Sequence, residues 1–333
     1  MSLPSQDQIV DYLASVWSAQ RGESRDENVN KVVGALAEIR FLQEVVEEFH
    51  VRDRVVDGCW ILVPPKPDFY NRRIAFFLCP LAEHSPSPPV RAPQPVIQAA
   101  LSLKGLGIKS HYAIPFLRGD MPFEWRAIDI SAPNPAEDPA PMENFMADFP
   151  RRKVRTPQRH VSRRVAQYLQ RFRQLPEDLV LRALGKQLFL DYLTQSWVRL
   201  GTVDVDYFLF GAKYGMPVEI KEKTPASDET TIGRYFGIDV APFVKLAFFL
   251  KDAAKAFDAI FTVREIDDEG RRDLVAWKYI TFRDVLDSMY WVGIPGGESM
   301  TGFGSHTIKI PYGRFKTLTA QEMERLIAQP TRA

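Results

Sequence analysis

Asp206, Glu219 and Lys221 are the residues of this chain best placed to do chemistry together. Asp206 stands at the head of an apolar run, Tyr207 to Phe210. Glu219 and Lys221 sit at the end of a second run that begins at Met216, beyond a turn holding Gly211 and Gly215. Two such runs around a glycine-bearing turn predict a β-hairpin, because glycine supplies the positive φ that tight loops need. Strand residues two apart share a face, so Glu219 and Lys221 point the same way. The hairpin brings Asp206 to the same end of the sheet. Two carboxylates and an ammonium in an apolar hairpin are costly to bury without partners. A divalent cation neutralises the carboxylates, and their hard oxygens suit Mg²⁺, with Mn²⁺ as the alternative ion.

An Asp, twelve intervening residues, then Glu-Ile-Lys on the next strand resembles the PD-(D/E)XK nuclease superfamily, the restriction-endonuclease-like fold. The resemblance covers roughly residues 180 to 265, in the C-terminal half only. Asp204-Val205-Asp206 also looks like the acidic lead-in of several branches, although Val205 stands where the motif's name has Pro. The resemblance implies a Mg²⁺-dependent endonuclease in which Asp206 and Glu219 hold the ion and Lys221 positions the attacking water. It also implies a further polar residue on the first core helix, with Gln187 and Asp191 as the candidates, four apart on one helical face. Asp204, two before Asp206, is another candidate ligand. Lys223, two beyond Lys221, is placed to contact the scissile strand.

The flanking elements follow the order that the resemblance implies. Glu177 to Leu200 has helical spacing with Pro176 at its start. The hairpin follows, then a predicted helix from Tyr235 to Lys255 with Pro242 near its beginning, then a strand over Asp258 to Val263. The last strand is expected to run parallel to its neighbour through the crossover helix. The fold class is therefore mixed α/β, with a central mixed sheet flanked by helices and an N-terminal α+β domain. The predicted division is 1–148 for a recognition or partner domain, 149–176 for a basic linker and helix, and 177–333 for the catalytic domain.

The basic linker has its own chemistry. Between Phe149 and Pro176 there is no acidic residue, while Arg151, Arg152, Lys153, Arg155, Arg159, Arg163, Arg164, Arg171 and Arg173 supply nine positive charges. Arginine makes bidentate contacts to phosphate. Arg151, Arg152, Arg155, Arg159, Arg163, Arg164 and Lys223 are the candidate DNA contacts. The competing reading is a solvated basic helix whose partners are acids elsewhere, such as those in Glu44 to Glu48.

The N-terminal half reads as helices over Gln6 to Gln20 and Asn28 to His50, strands over Val55 to Val63 and Ile74 to Cys79, and a proline-rich loop from Pro80 to Pro95. A helix near Val96 to Leu106 and strands near His111 to Phe116 and Trp125 to Ile130 follow. This order faintly repeats that of the C-terminal half, yet no Glu-x-Lys hairpin marks a second copy. A Gly-, Ser- and Thr-rich loop from Ile294 to Thr307, which includes His306, could wrap a substrate.

Composition bounds the rest. The chain has 333 residues, 45% hydrophobic content and a formal charge of +1, so it can bury a core and bulk charge names no partner. No apolar run reaches the roughly 18 residues of a membrane span, and the N-terminus lacks a signal-peptide core, so a cytoplasmic protein is expected. Cys59 and Cys79 sit in apolar runs and read as free core thiols. Scattered histidines, no P-loop and no dinucleotide fingerprint exclude a zinc site, a self-contained ATPase and a dehydrogenase. The reading is a DNA endonuclease of restriction or phage-defence type, with a homodimer as an open arrangement. A repair or junction-resolving nuclease is the first alternative, a non-catalytic nucleic-acid binder the second, and an unrelated α/β interaction protein the third.

Overall fold

Gly58 divides what the sequence predicts as one strand. β1 (Val55–Asp57) and β2 (Cys59–Val63) flank it, and they belong to different six-stranded sheets. The structure is a computed structural model. It describes residues 4–18, 29–65, 72–81, 91–116, 124–131, 138–152, 163–198, 201–210, 215–229, 231–240, 242–244, 247, 258–295 and 306–328. The architecture is mixed α/β, with three sheets among the described residues. Among the described residues no helix is long and apolar enough to cross a membrane.

Two compact units make up the chain. One comprises residues 1–35 and 57–204, the other 36–56 and 205–333. This differs from the contiguous division read from the sequence, because helices and strands near residues 40–56 and 177–204 pair outside their own half.

The first unit contains α1 (Gln6–Trp17), β3 (Ile74–Leu78), α3 (Gln94–Lys104), β4 (Lys109–Phe116), β5 (Glu124–Asp129), β6 (Ala140–Pro141), α4 (Arg163–Leu169), α5 (Glu177–Ser196) and β7 (Gly201–Asp204). Its sheet runs β6-β5-β4-β3-β2-β7. The α1 start is fixed by a capping box, in which Ser5 and Gln8 satisfy each other's backbone donors. α5 is apolar around most of its circumference, as a helix buried on both sides must be. Its Phe189 ring meets Trp60, Phe76 and Trp125 at centroid distances of 5.5, 5.7 and 4.9 Å. Cys59 and Cys79 are buried thiols not joined in a disulfide, as the apolar runs imply.

The second unit takes the later part of α2 (Val29–Phe41), a π-helical turn at Leu42–Glu47, and β1. To these it adds β8 (Tyr207–Phe210), β9 (Gly215–Lys223), β10 (Ala226–Asp228), β11 (Gly233–Asp239), β12 (Ile260–Ile266), β13 (Leu274–Thr281), α6 (Phe282–Ser288), β14 (Tyr290–Pro295), β15 (His306–Pro311), β16 (Lys316–Thr317) and α7 (Ala320–Ala328). One sheet runs β1-β8-β9-β12-β13-β16, the other β10-β11-β15-β14. Phe236 and Ile238 of β11, Phe261 and Val263 of β12, and Ile308 and Ile310 of β15 bury a shared core between the two sheets.

The helix predicted from Tyr235 starts later. Tyr235 to Asp239 completes β11, and helical geometry begins at Val240, continuing at Pro242, Phe243, Val244 and Ala247. Alternation decides this, since Phe236 and Ile238 face the core at a period of two. Gly237 between them permits close approach, for a Cβ there would lie 2.3 Å from Thr307 Cγ2. The rest of that predicted helix, 248–255, lies outside the described residues, as do the prolines of 82–90 and most of the Gly-rich loop, 296–305.

Candidate active site

The predicted hairpin is present. β8 and β9 pair antiparallel, with Tyr207 opposite Val218 and Phe208 opposite Pro217. Continuing that register by one residue sets Asp206 opposite Glu219. The strand β8 stops at Tyr207, and the Asp206 carboxylate takes over the ladder position, where Oδ2 accepts the Ile220 backbone N–H at 2.6 Å. A carboxylate bonded to a backbone donor is held in one orientation. Asp206 and Glu219 are both buried, at 8% and 9% exposure.

Lys221 completes the group. Its ammonium donates to Glu219 Oε1 at 2.7 Å, and its side chain keeps 34% exposure, so solvent still reaches it. Burial works against its charged form, but Glu219 and Asp206 outweigh that, with a smaller contribution from Glu38, and the pKa is raised above the ordinary lysine range. Lys221 is therefore a cation throughout the neutral range. Lys223 behaves differently. It donates to the Gly237 carbonyl at 2.6 Å, and burial lowers its pKa against the pull of Asp239, with Lys221 adding to the lowering. Bound to Gly237, it ties β9 to β11 and is spoken for as a contact to a bound strand.

Glu38, whose charge adds a little to the raised Lys221 pKa, is not among the residues the sequence reading names. It lies on α2, far from the hairpin in sequence, and the backbone of the same residue accepts the Tyr207 hydroxyl at 3.1 Å. The available signal was an acid between Ala37 and Ile39, which are both buried. The residues expected on the first core helix lie elsewhere. Gln187 and Asp191 belong to the first unit, where the Trp17 indole N–H donates to Gln187 Oε1 at 2.7 Å and Gln187 donates to Asp191 Oδ1 at 2.9 Å. Asp191 also accepts the Tyr12 hydroxyl at 3.3 Å. Helical spacing found the helix but not which sheet it covers. Asp204 is likewise displaced from the expected face. It ends β7 opposite Trp60 of the first unit's sheet, and its charge adds to burial in raising the Cys59 thiol pKa.

A second polar group anchors the helix that carries Glu38. Arg264, 1% exposed on β12, donates Nε and Nη2 to the two oxygens of Glu44, both at 2.8 Å. Its Nη1 reaches Glu222 at 3.0 Å and the Arg272 carbonyl at 3.0 Å. Trp277 Nε1 adds a bond to Glu44 at 3.0 Å. Burial disfavours the Glu44 charge, but Arg264 and Arg40 more than offset it, and the Glu44 pKa is lowered. The π-helical turn carrying Glu44 is thus fixed to β12 and to Glu222 of β9, one residue beyond Lys221. Arg264 was visible as the lone cation in an otherwise buried strand.

The basic segment separates into parts. Arg151 pairs with Glu143 at 3.1 Å and lies over the Trp197 ring, Arg152 donates to the Thr194 carbonyl at 3.2 Å, and Arg173 pairs with Asp7 and Asp11, both at 3.2 Å. These three arginines have partners within the protein. Arg155 and Arg159 lie outside the described residues. Arg163 and Arg164 open α4.

The donor chemistry fits a divalent cation in one respect: two buried carboxylates stand opposite each other in register, beside a fixed ammonium. Among the described residues no group of three or more His, Cys, Asp or Glu side chains is gathered tightly enough to hold a metal ion by itself. Water and phosphate oxygens would have to complete the coordination shell, which is the habit of Mg²⁺. Comparison of the chain with protein-family models, with curated proteins and with solved structures found no match.

Proposed function

We propose that this protein is a Mg²⁺-dependent endodeoxyribonuclease of the PD-(D/E)XK type, with Asp206, Glu219 and Lys221 as its catalytic residues. The observation that carries the reading is their juxtaposition: Asp206 opposite Glu219, and Lys221 bonded to Glu219. Support also comes from strand sense. β8 and β9 form an antiparallel hairpin, and β12 returns parallel to β9, with Phe261 opposite Glu219 and Val263 opposite Lys221. Helical residues lie between β11 and β12. This is the order that the sequence resemblance implies.

Asp206 and Glu219 would hold the ion, which when bound lowers the pKa of a coordinated water toward neutrality. The Ile220 N–H holds Asp206 in place for that task. Lys221, cationic at neutral pH, orients the water and offsets the charge that builds on the phosphoryl oxygens. Glu219 and Asp206, with a smaller contribution from Glu38, keep Lys221 protonated. A restriction or phage-defence role is the biological setting we propose, with Arg163 and Arg164 among the candidate phosphate contacts.

The test is cleavage of supercoiled plasmid with Mg²⁺ and with EDTA. Cleavage should require the metal and disappear in Glu219→Gln protein of unchanged circular dichroism. Equal cutting by the variant refutes the assignment.

A further inference from the structure

The two six-stranded sheets share one pattern of strand sense. In the first unit β2 pairs antiparallel with β3, β3 parallel with β4, β4 antiparallel with β5 and β5 antiparallel with β6. In the second, β8 pairs antiparallel with β9, β9 parallel with β12, β12 antiparallel with β13 and β13 antiparallel with β16. Each parallel step follows a helical connection, α3 in one case and the helical residues after β11 in the other.

The registers coincide as well. Setting Trp60 on Tyr207 sets Phe76 on Val218, because each is the cross-strand partner. Phe76 then leads to His111 as Val218 leads to Ile260, and Tyr112 to Ile128 as Phe261 leads to Ile280. Arg126 reaches Pro141 as Lys278 reaches Thr317, so the two-residue edge strands β6 and β16 match residue for residue. One choice of alignment therefore fits five strands, and the sequence agrees where the sites lie: Val56-Asp57 precedes Trp60-Ile61-Leu62 as Val203-Asp204 precedes Tyr207-Phe208-Leu209. β7 occupies in the first sheet the place that β1 occupies in the second.

We propose that the chain holds two tandem copies of one core with their leading arms exchanged, and that only the second copy keeps a reactive centre. The later part of α2 and β1 precede the first copy's hairpin yet complete the second unit, while α5 and β7 precede the second copy's hairpin yet complete the first. Reciprocal exchange of identical elements is a low-cost route to pairing two copies. The register gives the first copy's counterparts of Asp206, Glu219 and Lys221 as Cys59, Phe77 and Cys79. All three are buried, at 0%, 1% and 2% exposure, and none is a hard-cation ligand. Resting on the nuclease reading above, this assigns one phosphodiester cut per encounter, where a pair of live copies would make two.

Two measurements on the full chain separate the claims. A specific protease site introduced within 153–162, between the copies, and cut after folding should leave both fragments eluting together at the 38.0 kDa of the intact chain. They should part only in denaturant, because each carries an arm of the other's unit. Fragments that separate in native buffer overturn the exchange and leave the nuclease reading untouched. On supercoiled plasmid with Mg²⁺, open circles should accumulate before any linear DNA, and folded Cys79→Ala protein should cut at the wild-type rate. Linear product without an open-circle intermediate, or at least tenfold loss in Cys79→Ala, overturns the single centre. No cleavage under any metal overturns the nuclease reading and the product assignment with it, while fragment co-elution still decides the exchange.

Discussion

Replacing Glu44 with Ala should destabilise the second unit more than any other exposed-to-half-buried carboxylate substitution. The change strips Arg264 of two bonds of 2.8 Å and Trp277 of one of 3.0 Å. Arg264, at 1% exposure, is left with Glu222 and one carbonyl. Removing one partner of a buried ion pair costs about 3–5 kcal/mol. The low end applies, since the Glu44 side chain is 20% exposed and Glu222 still neutralises the guanidinium. A loss of about 3 kcal/mol in a unit of this size lowers Tm by roughly 6–12 °C. Differential scanning calorimetry of Glu44→Ala and Glu44→Gln measures it, with Gln expected to lose less because it keeps acceptors for Arg264. A Tm within 2 °C of wild type for Glu44→Ala refutes the view that this network fixes α2 to the sheet of the candidate site.

Three further outcomes are expected. His111, 3% exposed, has its pKa lowered to about 4 by burial, against the opposing charge of Asp129 and a backbone bond at Ala75. The folded state then binds fewer protons than the unfolded one between pH 4 and about 6.5, so stability falls by about 3 kcal/mol as pH drops through that window; urea titrations of His111→Phe should show that slope flattened, and an unchanged slope refutes it. Because the Lys221 pKa is raised, its stabilising charge is fully present through neutral pH and is lost only well into alkali, so the cleavage rate should show no basic limb below about pH 10; a limb near pH 8 contradicts a persistent ammonium. Arg163→Ala with Arg164→Ala should reduce the salt slope of DNA binding by roughly 1 to 2, whereas Arg173→Ala, which loses only exposed pairs to Asp7 and Asp11, should leave the slope unchanged and cost under about 1 kcal/mol of stability.

The hairpin was legible because its signals are local. A period of two, glycines at the turn and a Glu-x-Lys spacing all lie within about twenty residues. The helices α1, α2 and α5 were legible for the same reason, from spacing and caps. What the sequence did not disclose is sheet membership. Val55 to Val63 reads as one strand, and although Asp57-Gly58 is a turn-forming pair, nothing local says that the two halves join different sheets. Adjacency in sequence points to the helix before the hairpin, which carries Gln187 and Asp191, whereas that helix belongs to the first unit. Adjacency fails here because β7 closes against β2 while β1 lies beside β8. The internal partners of the basic segment were hidden for a related reason. Its acidic partners, Asp7, Asp11 and Glu143, are distant in sequence or scattered among apolar residues.

The most direct test of the account is single-turnover cleavage of a labelled DNA duplex by wild-type, Asp206→Asn, Glu219→Gln and Lys221→Met proteins across a Mg²⁺ titration, with thermal unfolding of each variant alongside. The account predicts metal-dependent cutting by the wild type and at least a hundredfold loss in each variant, since removing one charge-stabilising group costs about 2.7–4 kcal/mol at the barrier. Wild-type rates in folded Glu219→Gln or Lys221→Met protein would contradict it.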